Sequence, residues 1–119
     1  MSKKVYCIAQ FQPKAGKEQE LFAVLQGLEP NTQREDGCLQ YTVTRHVESP
    51  FAEGKSFSIV FNEIWADMPS FEAHCQRQEI KSFFEKYCAA DDGLAAEWNV
   101  CVYTDEPLDF DAPNVDITQ

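Results

Sequence analysis

The sequence predicts an α+β protomer of the ferredoxin-like kind: β-α-β-β-α-β, a four-stranded antiparallel sheet with both helical stretches on one face. Three observations carry this. Short segments alternate two kinds of residue with period two, longer stretches repeat apolar residues at helical spacing, and Gly- or Pro-containing connectors separate them in that order. A chain of 119 residues, 44% hydrophobic and 13% aromatic, fills one core and leaves no room for a second domain.

The first strand is VYCIAQFQ, residues 5–12, which sets Val5, Cys7, Ala9 and Phe11 against Tyr6, Ile8, Gln10 and Gln12. PKAGK breaks it. From Lys17, Leu21, Phe22, Leu25 and Leu28 recur at helical spacing, and the helix is expected to run on through EPNTQRED with a kink at Pro30, stopping before Gly37. CLQYTVTRH (38–46) and FSIVFNEIW (57–65) alternate again and pair as a hairpin across the polar loop VESPFAEGKS. Asp67 is placed to cap the next helix, with Pro69 in its first turn, where a missing N–H does no harm. A further helical segment carries the stripe Ile80, Phe83, Phe84, Tyr87 and Cys88. DDGLAA (91–96) connects, with a helical turn open at Leu94 to Ala96, and EWNVCVYT (97–104) is the last strand. Residues 1–104 therefore form the domain, and 105–119 an acidic, proline-punctuated tail, either disordered or packed on a partner subunit.

The formal net charge of −10 repels phosphate backbones and anionic lipid, so neither nucleic acid nor a membrane surface is expected as a partner. No stretch is long enough to span a bilayer. The opening MSKKVYCIAQF lacks the apolar core of a signal peptide, and the five cysteines, Cys7, Cys38, Cys75, Cys88 and Cys101, are odd in number and lack a C-x-x-C pair. They read as reduced, small core residues of a cytosolic protein. No cysteine and histidine cluster has zinc-ligand spacing, so no metal is expected. The first three strands place apolar or aromatic residues on both faces, Tyr6 and Ile8 as well as Val5 and Cys7, Val60 and Ile64 as well as Ile59 and Phe61. Helices cover only one face, so the patterning implies a homodimer packed sheet against sheet.

REDGCLQYTV (34–43) and NEIWADMPSFEAH (62–74) carry a resemblance. Together, the acidic residue-Gly-Cys-x-x-Tyr start of the second strand and the Glu-x-Trp strand followed by an Ala-His helix resemble the antibiotic biosynthesis monooxygenase family. That dimeric α-β barrel group includes small quinol monooxygenases and autoinducer-degrading relatives, and the match spans about residues 4 to 104. The resemblance implies a pocket between sheet and helices, and oxygen chemistry on electron-rich phenolic substrates without flavin, haem or metal.

His74 is the candidate catalytic base: it falls on the inward side of its helix, and an imidazole with an ordinary pKa of ~6.5 suits a quinol that must lose a proton before passing an electron to oxygen. The bland alternative is a buried histidine tied to a backbone carbonyl or to Glu63. Glu63, on the strand face of Phe61 and Trp65, is the second catalytic candidate, either orienting the imidazole or carrying a raised pKa. Its alternative is an edge carboxylate paired with Arg45 or Arg77. Trp65, Tyr41, Phe61, Phe71, Phe83 and Phe84 are the candidate substrate-binding wall, although such stripes are more often plain core. Asn62 falls on the opposite face, and His46 ends its strand in solvent. Two departures from the family pattern stand out. Glu79 replaces the second histidine many relatives carry five residues after the first, and the positions used for haem degradation fall near Ala9 and Phe84, which cannot serve it.

Three readings follow. The first is a cofactor-independent monooxygenase that uses molecular oxygen on a small quinol-like aromatic. The second is a proton-transfer or isomerase-type enzyme on a small phosphorylated or carbonyl metabolite, which would show a cationic anchor such as Arg45 or Arg77. The third is a non-catalytic dimeric ligand-binding domain, whose pocket would be filled by its own side chains.

Overall fold

The computed structural model describes residues 3–107. Strand β1 (Val5–Pro13) is central, and the sheet order is β2-β3-β1-β4 with every neighbour antiparallel, the ferredoxin-like topology. Along β1 the burial alternates without a fault: Val5, Cys7, Ala9 and Phe11 are buried under the helices, and Tyr6, Ile8, Gln10 and Gln12 are half-exposed on the open face.

Helix α1 (Glu18–Gly27) buries Leu21 and Leu25. The expected kink at Pro30 is instead a break two residues earlier. A proline ring clashes with the carbonyl four residues before it, so the chain closes α1 at Leu28 and restarts as α2 (Glu29–Gln33) with Pro30 in the first turn. Strand β2 (Cys38–Arg45) pairs with β3 (Ile59–Trp65), which starts two residues later than its pattern suggests; the Gln12 side chain accepts a hydrogen bond from the Ser58 N–H at 3.1 Å. Asp67 caps α3 (Met68–Gln76) as expected, accepting from the Ser70 N–H at 2.9 Å.

The apolar stripe after α3 is not one regular helix. Arg77 is extended, α4 (Gln78–Phe83) follows, and Phe84–Ala89 forms a wider π-helical turn. The widening lets consecutive residues Phe83 and Phe84 both reach the Phe11 ring, at 5.5 and 6.0 Å between centroids. Strand β4 (Ala95–Tyr103) begins at Ala95, so no helical turn forms there. The cysteines also differ from expectation: Cys7 and Cys88 are buried, Cys38 and Cys101 are intermediate, and Cys75 is exposed, because α3 is only half covered. Asp105 and Glu106, assigned to the tail, are held by the body: Tyr6 donates to Asp105 at 2.8 Å, and Lys3 lies 3.7 Å from Glu106. The rest of the tail expectation, from residue 108, lies outside the described residues. Among the described residues, no helix is long and apolar enough to cross a membrane.

Gly37 locks the turn before β2 against α3. Its φ of +83° favours glycine, a Cβ would overlap the Ser70 hydroxyl, and its carbonyl accepts the Ala66 N–H at 2.7 Å. This contact brings Glu35 under α3.

Candidate active site

The site is built on the helix-covered face, where pleat and register set a row of side chains. Glu63 of β3 stands opposite Tyr41 of β2 on one side and Cys7 of β1 on the other, and Phe61 is the next inward residue along β3. Glu63 is 5% exposed and Trp65 fully buried. A narrow cavity of ≈ 40 Å³ lies over this row, beneath α1, α3 and α4. Its wall includes Tyr41, Phe61, Phe71, Phe83 and Phe84, together with Glu63 and His74, and among the described residues no lysine or arginine lines it.

Five of the six expected aromatic residues therefore meet at the cavity. Trp65 does not line it; it lies behind, its ring 4.7 Å from that of His74 and its Nε1 donating to Glu63 Oε1 at 3.0 Å. Tyr41 stacks on Phe61 with centroids 4.3 Å apart and meets the His74 ring edge-on at 5.3 Å. A small cavity lined by aromatic rings results.

The expected pairing of His74 with Glu63 is corrected. His74, 4% exposed, places Nδ1 3.0 Å from Glu35 Oε2, and Glu63 is taken by the Trp65 indole. Glu35 reaches α3 because Gly37 folds the turn there, whereas Glu63 points between Cys7 and Tyr41. The same Glu35 oxygen accepts Arg77 Nη1 at 2.6 Å, and Arg77 Nη2 binds Glu79 Oε1 at 3.0 Å. Arg77 thus serves two glutamates, neither of them Glu63, and Arg45 is exposed. Glu35 is the residue that sequence reasoning missed. Its only signal was its place in REDGC, since nothing along the chain brings residue 35 to residue 74.

Burial moves both candidate groups in ways that suit proton transfer. The His74 pKa lies below its ordinary value, chiefly because burial disfavours the imidazolium, with Glu35 opposing. Burial pushes Glu63 up to about 7, with the Trp65 hydrogen bond partly offsetting it. The Tyr41 phenol is raised as well, by burial and then by Glu63. A carboxylate only accepts hydrogen bonds, so the proton on neutral His74 sits on Nδ1. Nε2 then keeps its lone pair.

The remaining expectations separate cleanly. Asn62 faces the open side, donating to Thr44 Oγ1 at 3.2 Å. His46 is only half-exposed, because Nε2 lies 3.3 Å from the Gly54 carbonyl. Glu79 stays outside the cavity on Arg77. Ala9 is buried in the sheet and Phe84 forms cavity wall.

Among solved structures the chain is similar to protein SO0527 from Shewanella oneidensis, at 28% identity over 87% of this chain and 92% of that one, with a TM-score of 0.70. It is also similar to PA3566 from Pseudomonas aeruginosa (20% identity, 90% and 98% covered, TM-score 0.72). A candidate antibiotic biosynthesis monooxygenase from Deinococcus radiodurans matches at 18% identity, 94% and 98% covered, with a TM-score of 0.69. These last two similarities speak to fold alone. No curated protein matches. The family model for antibiotic biosynthesis monooxygenases matches residues 4–86, a span that contains Glu35, Glu63 and His74. With sheet order, motifs and family model in agreement, the chain belongs to the antibiotic biosynthesis monooxygenase family.

Proposed function

We propose that this protein is a cofactor-independent monooxygenase acting with molecular oxygen on a small quinol or polyphenol. The observation that carries the reading is a buried imidazole with its Nδ1 on a carboxylate, set in the wall of an aromatic cavity that no cationic side chain lines among the described residues. The apolar, uncharged lining suits a neutral phenol, and the base it needs is at hand.

In this mechanism His74 Nε2 takes the phenolic proton, and the electron-rich anion passes one electron to dioxygen. The semiquinone and superoxide combine to form the new carbon–oxygen bond. The oxygen–oxygen bond then breaks as the ring carbon loses its proton; that proton and the one taken by His74 leave with the distal oxygen as water. Glu63, poised near neutrality, relays protons to the departing oxygen. For the parent compound, hydroquinone plus dioxygen gives hydroxybenzoquinone plus water, and every atom is accounted for. Tyr41, Phe61 and the phenylalanines of α3, α4 and the π-turn hold the ring and exclude water.

A cavity of ≈ 40 Å³ is smaller than a ligand pocket usually is, so entry of a ring requires the half-buried Phe71 and Phe84 to turn aside. The same narrowness supports a second reading, a binding domain whose pocket is filled by its own side chains. A phosphorylated substrate is disfavoured, because neither Arg45 nor Arg77 belongs to the wall.

Assembly as a homodimer through the open sheet face is part of the proposal. Tyr6, Ile8, Val60 and Ile64 are half-exposed there on β1 and β3, interspersed with Gln10 and Asn62.

The test is oxygen consumption by metal-stripped protein with a panel of hydroquinones, beside His74→Ala. Uptake that depends on His74 supports the oxygenase. Quinol binding without uptake overturns it in favour of the binding domain.

A further inference from the structure

We infer that Glu35, Arg77 and Glu79 form a positioning relay for His74, in which Glu35 fixes the tautomer and Arg77, shared between the two glutamates, tunes how readily the imidazole takes a proton. Its consequence for turnover rests on the proposed reaction; its geometry does not.

The relay runs outward from the cavity. Side-chain exposure rises from 5% at His74 and 14% at Glu35 to 30% at Arg77 and 33% at Glu79. Glu35 Oε2 accepts from both His74 Nδ1 and Arg77 Nη1, which fixes the carboxylate from two sides. The second Arg77 nitrogen is held by Glu79, whose other oxygen lies 3.4 Å from Asn31 Nδ2. Asn31 in turn accepts from Arg34 at 2.7 Å, so the string ties α2 to the α3–α4 junction.

The backbone explains why Arg77 can do this. At φ −66° and ψ 140° it breaks the helix between α3 and α4, and its guanidinium reaches Glu35 before β2 as well as Glu79 in the first turn of α4. The position where the family pattern carries a second histidine is thus still coupled to the first, since Glu79 acts on the cavity histidine through Arg77.

Formal charge gives the relay its direction. With a neutral imidazole the four side chains sum to −1, and with an imidazolium to zero. Burial disfavours the imidazolium; the relay opposes that cost at the moment the base takes its proton. Glu35 raises the His74 pKa and Arg77 lowers it, so removing each moves it in opposite senses. The other titratable groups of the cavity wall are Glu63, Tyr41, Cys7 and Cys75, and they are unchanged in both variants.

The experiment is nitrogen-15 NMR of histidine-labelled protein, in which only two residues need assignment, His74 and the distant control His46. We expect the Nδ1–H tautomer at His74 in the unaltered protein, a lower His74 pKa in Glu35→Gln, a higher one in Arg77→Gln, and no movement of His46. An Nε2–H tautomer in the unaltered protein overturns the proposal without any variant. Shifts of the same sign in both variants, or none, also overturn it. With hydroquinone as the probe, the limb where oxygen uptake rises with pH should move with each shift. If the NMR pattern holds and no quinol is consumed, the relay stands and the oxygenase reading fails.

Discussion

Glu35, bonded to His74 from outside the cavity wall, and Glu63, within that wall, are the same side chain, and their surroundings give them opposite work. Glu35 meets a guanidinium and an imidazole N–H, partners that suit an anion. Glu63 meets an indole N–H, a thiol and aromatic faces, with no cation, and burial pushes it up to about 7. The lesson is that a carboxylate's role follows from who donates to it, not from its distance to the base along the sheet.

The harshest way to break the comparison is to remove what both corners serve. In His74→Ala, oxygen uptake with a quinol should fall by roughly 100- to 10,000-fold, the range for loss of a general base, with the circular dichroism spectrum unchanged.

The Glu63 corner has its own signature in stability. Its folded pKa lies above the unfolded value of 4.5, so the unfolded chain sheds its proton first. Stability from this group is present below pH 4.5 and is lost as pH rises toward about 7, roughly 3 kcal/mol in all. Urea denaturation across that window should show the slope, and Glu63→Gln should abolish it. His74, with a depressed pKa, contributes a slope of opposite sign, its stability lost as pH falls below its unfolded value. Removing Glu63 should therefore leave a curve that rises with pH.

Gly37→Ala sharpens the contrast, since it strains the turn that carries Glu35, whereas Glu63 lies inside β3, short of the Gly37–Ala66 contact at that strand's end. A positive φ plus the overlap with Ser70 should cost about 2 kcal/mol by thermal or urea melting, and should disturb the His74 signals while the Glu63 slope persists. The smallest effect is expected of Asp67→Ala. Loss of the cap should lower the melting temperature only slightly and fray α3 at the end remote from His74, with little change in either corner.

The strands and their faces were legible because period-two alternation is a local property that burial then reinforces. β1 and the buried set Ile59, Phe61, Glu63 and Trp65 follow the pattern residue for residue. The Asp67 cap and Pro69 were legible for the same reason: capping is decided within one turn. Legibility ended where several turns compete. The break at Leu28, the extended Arg77 and the π-turn at Phe84–Ala89 reflect fitting helices to a sheet, which 3.6-residue spacing does not encode.

By itself, then, the sequence determined the ferredoxin-like order, the family and the two residues that come together at the cavity, His74 and Glu63. Only the tertiary structure decided their partners. Glu35 and His74 are 39 residues apart and meet because a glycine turn packs under a helix, and Trp65 turns from expected cavity wall into the donor that holds Glu63. Hydrogen bonds reach about 3 Å, and the chain brings distant residues within that reach only after the core has fixed the angle between helix and sheet.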